Sequence, residues 1–315
     1  MCAGVGKPNG KMQTTLLSVS TSAIASRTDK AEEIVAWLNE VGACMVELNG
    51  VKEGTYRELR SMLPRAGISV SSFHNFCPVP ESGGTLLFIA EDPEERLSAV
   101  RATINTLKSA ADLGARAVVC HLDCVPLQRE VEAFAAKLRA EGDSKEVRAA
   151  RERLKKLRRE KAAPYLDRVL WCLDRILEAA TRLGVMVGIE TRCGYHEIPS
   201  PEEIGLILEK FAGAPLGYWH DVGHAHHLEF LGLGRQEELL RRYRDAIIGV
   251  HLHDARGERD HLTPGTGEVD LAAVLAYIPP EAIKTVEAAE MQDTASLRRG
   301  LEHLSNLFRR LKAGN

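Results

Sequence analysis

Short apolar runs alternate with longer amphipathic segments along most of the chain. Most of the apolar runs are continuous, which is typical of strands that are covered on both faces in a parallel sheet. They predict eight strands, at residues 14–20, 44–50, 68–76, 117–123, 185–191, 216–222, 247–255 and 282–289. Eight strand-then-helix units with short connections predict an α/β fold, a single (β/α)8 TIM barrel. An open doubly wound sheet is the alternative, but the glycine-rich phosphate turn typical of that fold is missing.

The segments between the strands carry signals for the starts and ends of helices. Asp92 and Ser200 are each followed by a proline and, three residues after the cap position, by a glutamate. This is the spacing of a capping box with proline at the first helical position. Asp29 repeats the spacing without the proline. Several segments stop at a glycine, which favours a helix end; these glycines are Gly42, Gly67, Gly114, Gly184 and Gly213.

The unit after the fourth strand is longer than the others. Residues 127–163 are predicted to be a charged helical insertion, and the barrel's own helix is expected to begin near Pro164. From Lys145 to Lys161 there are nine basic and three acidic residues, a run that usually forms a solvated helical face. A loop after a barrel strand lies on the active-site face. The insertion is therefore expected to be a lid, a contact in a homo-oligomer or a basic arm for a phosphate-bearing ligand.

The composition is that of an ordinary soluble protein. Of the 315 residues, 44% are hydrophobic and 27% charged, and the net charge of −3 gives no general attraction to nucleic acid or an anionic membrane. The apolar runs are far shorter than the roughly 20 residues of a membrane span. Residues 1–13 are predicted to be a flexible lead rather than a signal peptide, with the barrel occupying 14–315. Seven cysteines without paired CxxC spacing favour a reducing cytoplasm.

Side chains that can bind metals stand at the ends of most predicted strands. They are His74, His121, Glu190, Asp221, His251 and Glu287. Because the C-terminal ends of all barrel strands open onto one face, these residues are expected to converge there. Three carboxylates at one barrel mouth would repel one another strongly without a cation. A shared divalent metal is the simplest way to hold the set together.

The segments "GIET", "WHDVGH", "GVHLHDARGERDHLTPGTGEVD" and "TVE" together resemble the xylose isomerase-like barrel superfamily. That group contains sugar and sugar-phosphate isomerases and epimerases, and also abasic-site nucleases of the endonuclease IV type. The resemblance spans roughly the whole chain outside the insertion and is strongest from residue 185 to 290. It implies the barrel fold and a metal centre more specifically than it implies a substrate.

In the epimerase branch, the resemblance implies one Mn²⁺- or Co²⁺-type ion, held by Glu190, Asp221, His251 and Glu287. Glu190 and Glu287 would also be the catalytic acid–base pair, which moves a proton next to a carbonyl. His224 would touch the sugar or sugar phosphate, and Arg256 or Arg259 would bind a hydroxyl or phosphate. The remaining candidates for substrate contact are His253 and Trp219.

In the nuclease branch, the resemblance implies three zinc ions. The first site would use His74, His121 and Glu190. The second would use Glu190, Asp221, His251 and Glu287. His224 and His261 would form part of the third, but Arg259 stands where that branch has an aspartate, with Asp260 or Glu258 as a replacement. The acidic net charge argues against DNA, since phosphate neutralisation supplies most of DNA binding.

The sequence therefore predicts a cytoplasmic, divalent-metal-dependent sugar isomerase or epimerase. The ion is expected to be Mn, Co or Zn, with one ion favoured and two or three left open. A multinuclear zinc phosphoesterase of the endonuclease IV type is the second hypothesis. A non-catalytic sugar-binding barrel that kept its metal ligands is the third.

Overall fold

The computed structural model describes residues 17–80, 86–288 and 293–313, so the predicted lead at 1–13 lies outside the described residues. The strands in chain order are β1 (Ser18–Ser20), β2 (Met45–Leu48), β3 (Ser69–His74), β4 (Ala117–Cys120), β5 (Met186–Glu190), β6 (Leu216–Asp221), β7 (Ile247–Leu252), β8 (Asp254–Arg256), β9 (Arg259–Leu262) and β10 (Ile283–Val286). Eight of them are parallel and close in the order β1-β10-β7-β6-β5-β4-β3-β2. The predicted (β/α)8 barrel is confirmed.

The predicted strand 247–255 is divided in the structure. β7 ends at Leu252, and β8 leaves the barrel to pair antiparallel with β9 as a hairpin. The reason lies in the buried Asp254, whose carboxylate accepts hydrogen bonds from the backbone N–H groups of Ala255, Gly265 and Val269. These bonds tie the segment to the following loop and not to the barrel.

The helices connect the strands of the barrel. They are α1 (Ser22–Ala25), α2 (Ala31–Val41), α3 (Glu53–Arg65), α4 (Pro93–Asp112), α5 (Gln128–Glu141), α6 (Lys145–Leu183), α7 (Pro201–Lys210), α8 (Val222–Phe230), α9 (Gln236–Tyr243), α10 (Leu271–Tyr277) and α11 (Thr294–Ala313). A search of the described residues finds no helix with the length and apolar character that a membrane crossing requires. The cytoplasmic location stays a prediction.

Two of the three predicted helix caps are present. Asp92 accepts a hydrogen bond from the backbone of Glu94, and Ser200 forms a full capping box with Glu203. The cap predicted at Asp29 is wrong, because α2 begins one residue later, after Lys30. The Asp29 carboxylate instead accepts from Lys52 Nζ at 2.6 Å.

α6 runs without a break through Pro164, so a helix start near that proline is wrong. An internal proline removes a hydrogen bond and costs about 3 kcal/mol. Packing on both sides of it offsets this cost. Before it, Val147 and Leu154 pack in a cluster with α5 and α8, and after it, Val169 and Leu173 belong to the main core. The limits 127–163 of the insertion stay a prediction.

The interior of the barrel is closed by a small apolar cluster of Ala117, Val119, Trp219 and Ile283. The indole ring fits there because its neighbours on β5 and β7 are glycines. A Cβ atom at Gly249 would overlap the Trp219 ring, and one at Gly188 would lie 3.0 Å from it. The side chains at the mouth stand above this floor.

Candidate metal centre

Four of the predicted residues come together at the C-terminal ends of the strands. Glu190, Asp221, His251 and Glu287 each place one donor atom within 4.8 Å of the others. Glu190 and Asp221 are the last residues of β5 and β6, His251 lies in β7, and Glu287 follows β10 directly. All four side chains are buried. Their roles as ligands stay a prediction, but the barrel gathers them at one point.

His251 lies at the middle of this group. Its Nδ1 atom is 2.6 Å from Glu190 Oε1, 3.1 Å from Glu287 Oε2 and 3.5 Å from Asp221 Oδ2. One ring nitrogen carries at most one proton, so it cannot donate to three carboxylates at once. Three carboxylate oxygens and one imidazole nitrogen that face a common point form a donor set that suits a divalent transition metal.

Glu47 holds His251 from the other side, and the sequence reasoning missed it. His251 Nε2 is 3.0 Å from Glu47 Oε1, and Ser72 Oγ donates to Glu47 Oε2 at 2.7 Å. A carboxylate on the far nitrogen is the usual way to orient a metal-binding imidazole. The available signal was an acidic residue within the apolar strand segment "CMVELNG".

Glu287 is likewise held through one of its two oxygens. Its Oε1 accepts from Ser20 Oγ at 3.1 Å and from Asn49 Nδ2 at 2.9 Å. These donors come from β1 and from the residue after β2, and neither was singled out in the sequence. The other oxygen, Oε2, is left facing His251.

Asp221 is positioned by the start of α8 and by His253. Its Oδ1 accepts from the backbone N–H of His224 at 2.7 Å and lies 2.9 Å from His253 Nε2. The backbone N–H of His261 donates to His253 Nδ1 at 2.8 Å, so the proton of the neutral ring is on Nε2 and points at Asp221. Gly223 makes the contact possible, because a Cβ atom there would overlap the His253 ring.

A second group of donors shares Glu190 with the first. His74, His121 and Glu190 place donor atoms within 4.8 Å of one another. The two imidazole Nε2 atoms are 3.1 Å apart, and that of His121 is 2.5 Å from Glu190 Oε2. The Nη1 atom of Arg192 donates to the same oxygen at 2.9 Å. Glu190 therefore faces the first group with Oε1 and the second with Oε2.

His224 is the centre of a third set of donors. It groups with Asp221 and His261, and also with Cys193 and Asp260, the cysteine being unforeseen. His224 Nδ1 donates to the carbonyl of Thr191 at 2.9 Å, and its Nε2 lies 3.8 Å from Asp260 Oδ2. Of the two suggested replacements for the missing aspartate, Asp260 is at this site. Glu258 instead pairs with Arg139 of α5 at 2.6 Å.

Comparisons with known proteins agree with this architecture. Residues 35–307 match the family described as "Xylose isomerase-like TIM barrel". The chain belongs to the xylose isomerase-like TIM barrel family. The resemblance seen in the sequence is thus confirmed. No curated protein matches the sequence significantly.

Solved structures with low sequence identity to this chain share its fold. A D-tagatose 3-epimerase-like protein is 18% identical with a TM-score of 0.69, over 95% of this chain and 98% of that one. The 3-keto-D-glucoside 4-epimerase from E. coli is 15% identical with a TM-score of 0.67, over 93% and 99% of the two chains. The D-allulose 3-epimerase from Methylomonas sp., solved with D-allulose, is 13% identical with a TM-score of 0.63, over 93% and 97%. At these identities the likeness shows the fold.

The side chains predicted to bind substrate in this xylose isomerase-like barrel differ in position. His224 and the fully buried His253 lie beside Asp221. Arg256 and Arg259 are exposed on the β8–β9 hairpin, and Arg256 donates to the carbonyl of Thr266. Trp219 is fully buried with its ring 5.2 Å from that of His251, which makes it part of the floor. Their contact with a substrate stays a prediction.

The mouth of this family member brings carboxylates and imidazoles into direct contact. Burial alone would raise the pKa of the Glu190 carboxyl, but the imidazoles of His121 and His251 hold it well below its usual range. Burial opposes the ionised form of Glu287 too, yet His251, His74 and His261 lower its pKa to about 2. Burial lowers the pKa of His251, but Glu287, Glu47 and Glu190 raise it well above the ordinary value. Glu190 and Glu287 are therefore ionised beside a protonated His251, whose proton a bound divalent ion would replace.

Proposed function

We propose that this chain is a divalent-metal-dependent isomerase or epimerase of a sugar or sugar phosphate, which moves a proton next to a carbonyl. The observation that carries the proposal is the pair of buried carboxylates, Glu190 and Glu287, which face one imidazole nitrogen at 2.6 and 3.1 Å. β5 and β10 are separated by β6 and β7, so the two carboxylates reach the centre from different sides. The sugar epimerases among the similar structures support the same reaction class.

Glu190, Asp221, His251 and Glu287 would hold the ion. When bound, a divalent ion supplies positive charge that stabilises the carbonyl oxygen as the adjacent C–H loses its proton. The Oε1 atom of Glu287 accepts hydrogen bonds from Ser20 and Asn49, which leaves its Oε2 atom facing the centre. The Oε2 atom of Glu190 contacts His121 and Arg192, which leaves its Oε1 atom facing the centre. One carboxylate removes the proton and the other returns one on the opposite face, which inverts the carbon.

The test is proton exchange at the carbon beside the carbonyl. Wild-type protein loaded with Mn²⁺ or Co²⁺ is incubated in D₂O with a panel of ketohexoses, ketopentoses and their phosphates, and deuterium incorporation is followed by NMR. Glu190→Gln and Glu287→Gln are each expected to lower the exchange rate about 10²- to 10⁴-fold, the usual contribution of acid–base catalysis. Asp270→Asn, at the cap of the remote helix α10, is the control and should exchange at the wild-type rate.

A fully active double variant Glu190→Gln/Glu287→Gln would refute the assignment. Sugar binding by calorimetry without any deuterium exchange in the wild-type protein would favour the non-catalytic barrel instead. Both outcomes are read on folded protein, with circular dichroism as the check.

A multinuclear zinc phosphoesterase is the second candidate, favoured by the group of His74, His121 and Glu190. Such an enzyme would hold two or three zinc ions per chain and hydrolyse phosphodiesters. Elemental analysis, with hydrolysis of bis(p-nitrophenyl) phosphate and abasic-site DNA, separates the candidates. One ion with ketose exchange supports the epimerase, whereas several zinc ions with phosphodiester cleavage support the esterase.

A further inference from the structure

Arg192 places a cation inside the group of His74, His121 and Glu190. Its Nη1 atom donates at 2.9 Å to Glu190 Oε2, the oxygen that lies 2.5 Å from His121 Nε2 and 3.8 Å from His74 Nε2. The side chain is only 11% exposed. An arginine cannot lose its proton in a protein, so this positive charge is permanent.

The Arg192 guanidinium is also fixed by Glu197, which lies in the same loop after β5. Glu197 accepts from Arg192 Nε at 3.0 Å and from Nη2 at 2.7 Å, and its other oxygen accepts from the backbone of Gly194 at 2.6 Å. Arg158 of α6 reaches into the same loop and donates to the carbonyls of Tyr195 and Glu197. Arg192 is therefore held over Glu190 by the loop after β5 and by the long helix.

We propose that Arg192 keeps the position between His74, His121 and Glu190 free of metal. A divalent ion there would need Glu190 Oε2 as a ligand, but this oxygen already accepts a hydrogen bond from the Arg192 guanidinium. The ion would also lie next to the positive charge of the guanidinium, and the two cations would repel each other. The two histidines alone are too few ligands for a tight site. The inference rests on the proposed metal dependence and explains how a chain that carries His74 and His121 would bind an ion at the first group without a second ion beside it.

The experiment counts the ions that depend on His121. Wild type, Arg192→Gln and Arg192→Lys are each prepared with and without His121→Ala, loaded with Zn²⁺, freed of excess by gel filtration and analysed for zinc per chain. His121→Ala should remove no ion from the wild type or from Arg192→Lys, which keeps the charge. It should remove one ion from Arg192→Gln, where the side chain remains polar but carries no charge.

An ion lost on His121→Ala in the wild-type background would overturn the inference, and so would no such loss in Arg192→Gln. When Arg192→Gln fails to fold, Arg192→Met, which is uncharged and of similar length, takes its place in the same comparison, because the wild type alone shows only whether the position is filled. If the protein binds no zinc at all, both this inference and the proposed metal dependence are wrong. If the ion counts are as expected but no ketose exchanges its proton, only the proposed reaction is wrong.

Discussion

Each carboxylate at the mouth is fixed by polar neighbours that leave one of its oxygens directed at the centre. Glu287 is fixed by Ser20 and Asn49, and Glu190 by Arg192. His251 is fixed in a similar way, because its Nε2 atom contacts Glu47 while its Nδ1 atom faces the centre. Such outer partners fix the orientation of a metal ligand, and the Glu47 carboxylate also raises the basicity of His251. Their loss would therefore lower the affinity for a bound ion even though they would not touch it.

We expect Glu47→Gln to weaken binding of the ion about 10- to 100-fold, because the amide removes the charge that faces His251 Nε2. The affinity is measured by competition with a chelator of known strength. Ser72→Ala, which removes only the hydroxyl that donates to Glu47, is the matched control and should have a smaller effect. Equal affinity of Glu47→Gln and the wild type would show that Glu47 does not act through His251.

Sequence reasoning finds some of these residues and misses others for a physical reason. Glu190, Asp221 and His251 are visible because polar residues at the ends of apolar strands have a regular position along the chain. Ser20 and Asn49 are invisible because their partner, Glu287, lies more than 200 positions away. A hydrogen bond between distant strands leaves no local pattern. Arg192 lies two residues past the end of β5, and its contacts with Glu190 and Glu197 exist only in the folded chain.

At the scale of the elements, α6 joins the outside of the barrel to the loop after β5. Arg158, on its N-terminal half, is 3% exposed and forms a double ion pair with Glu203, at 2.6 and 2.9 Å. The same guanidinium donates to two carbonyls of the loop. The helix thus anchors the segment that carries Arg192.

Removing Arg158 is expected to cost stability, because it leaves the Glu203 carboxylate buried without its partner. We expect Arg158→Ala to lower the free energy of unfolding by about 3–5 kcal/mol, the usual cost of breaking a buried ion pair. Arg159→Ala, one residue further along on the exposed face, should change it by less than about 0.5 kcal/mol. Urea titration followed by circular dichroism measures both. Equal midpoints would mean that the pair does not anchor the loop.

The sequence predicts that the region around residues 127–163 is helical, but it cannot predict how the helix continues. Pro164 signals a helix start when only local rules are applied. Packing of Leu154 before it and Leu173 after it decides otherwise. The local sequence pattern does not predict contacts between elements that are far apart in the chain.

At the scale of the whole molecule, the closed barrel brings the proposed ligands together at the ends of four strands, so an ion bound there would be linked to the entire fold. An ion that binds only the folded chain stabilises it by about 2.7 kcal/mol when its free concentration is 100 times the dissociation constant. The repeated strand-and-helix pattern made this architecture predictable. The chemical identity of ion and sugar depends on sub-ångström fit and leaves no such trace in the sequence.

Removal of the ion is therefore expected to lower the unfolding temperature of the wild-type protein. Thermal unfolding is compared in Mn²⁺ and in excess EDTA. Glu190→Gln, which lacks one of the carboxylates, should show a smaller difference between the two conditions. Identical unfolding temperatures of the wild type with and without chelator would argue that no ion is bound at the mouth.

Trp219 gives the barrel a built-in optical probe. The other two tryptophans, Trp37 and Trp171, lie on α2 and α6, whereas the Trp219 ring packs directly beneath His251. Paramagnetic Mn²⁺ and Co²⁺ quench indole emission at short range. With Trp37 and Trp171 replaced by phenylalanine, fluorescence from this one buried residue would therefore report whether such an ion occupies the mouth, without an added label.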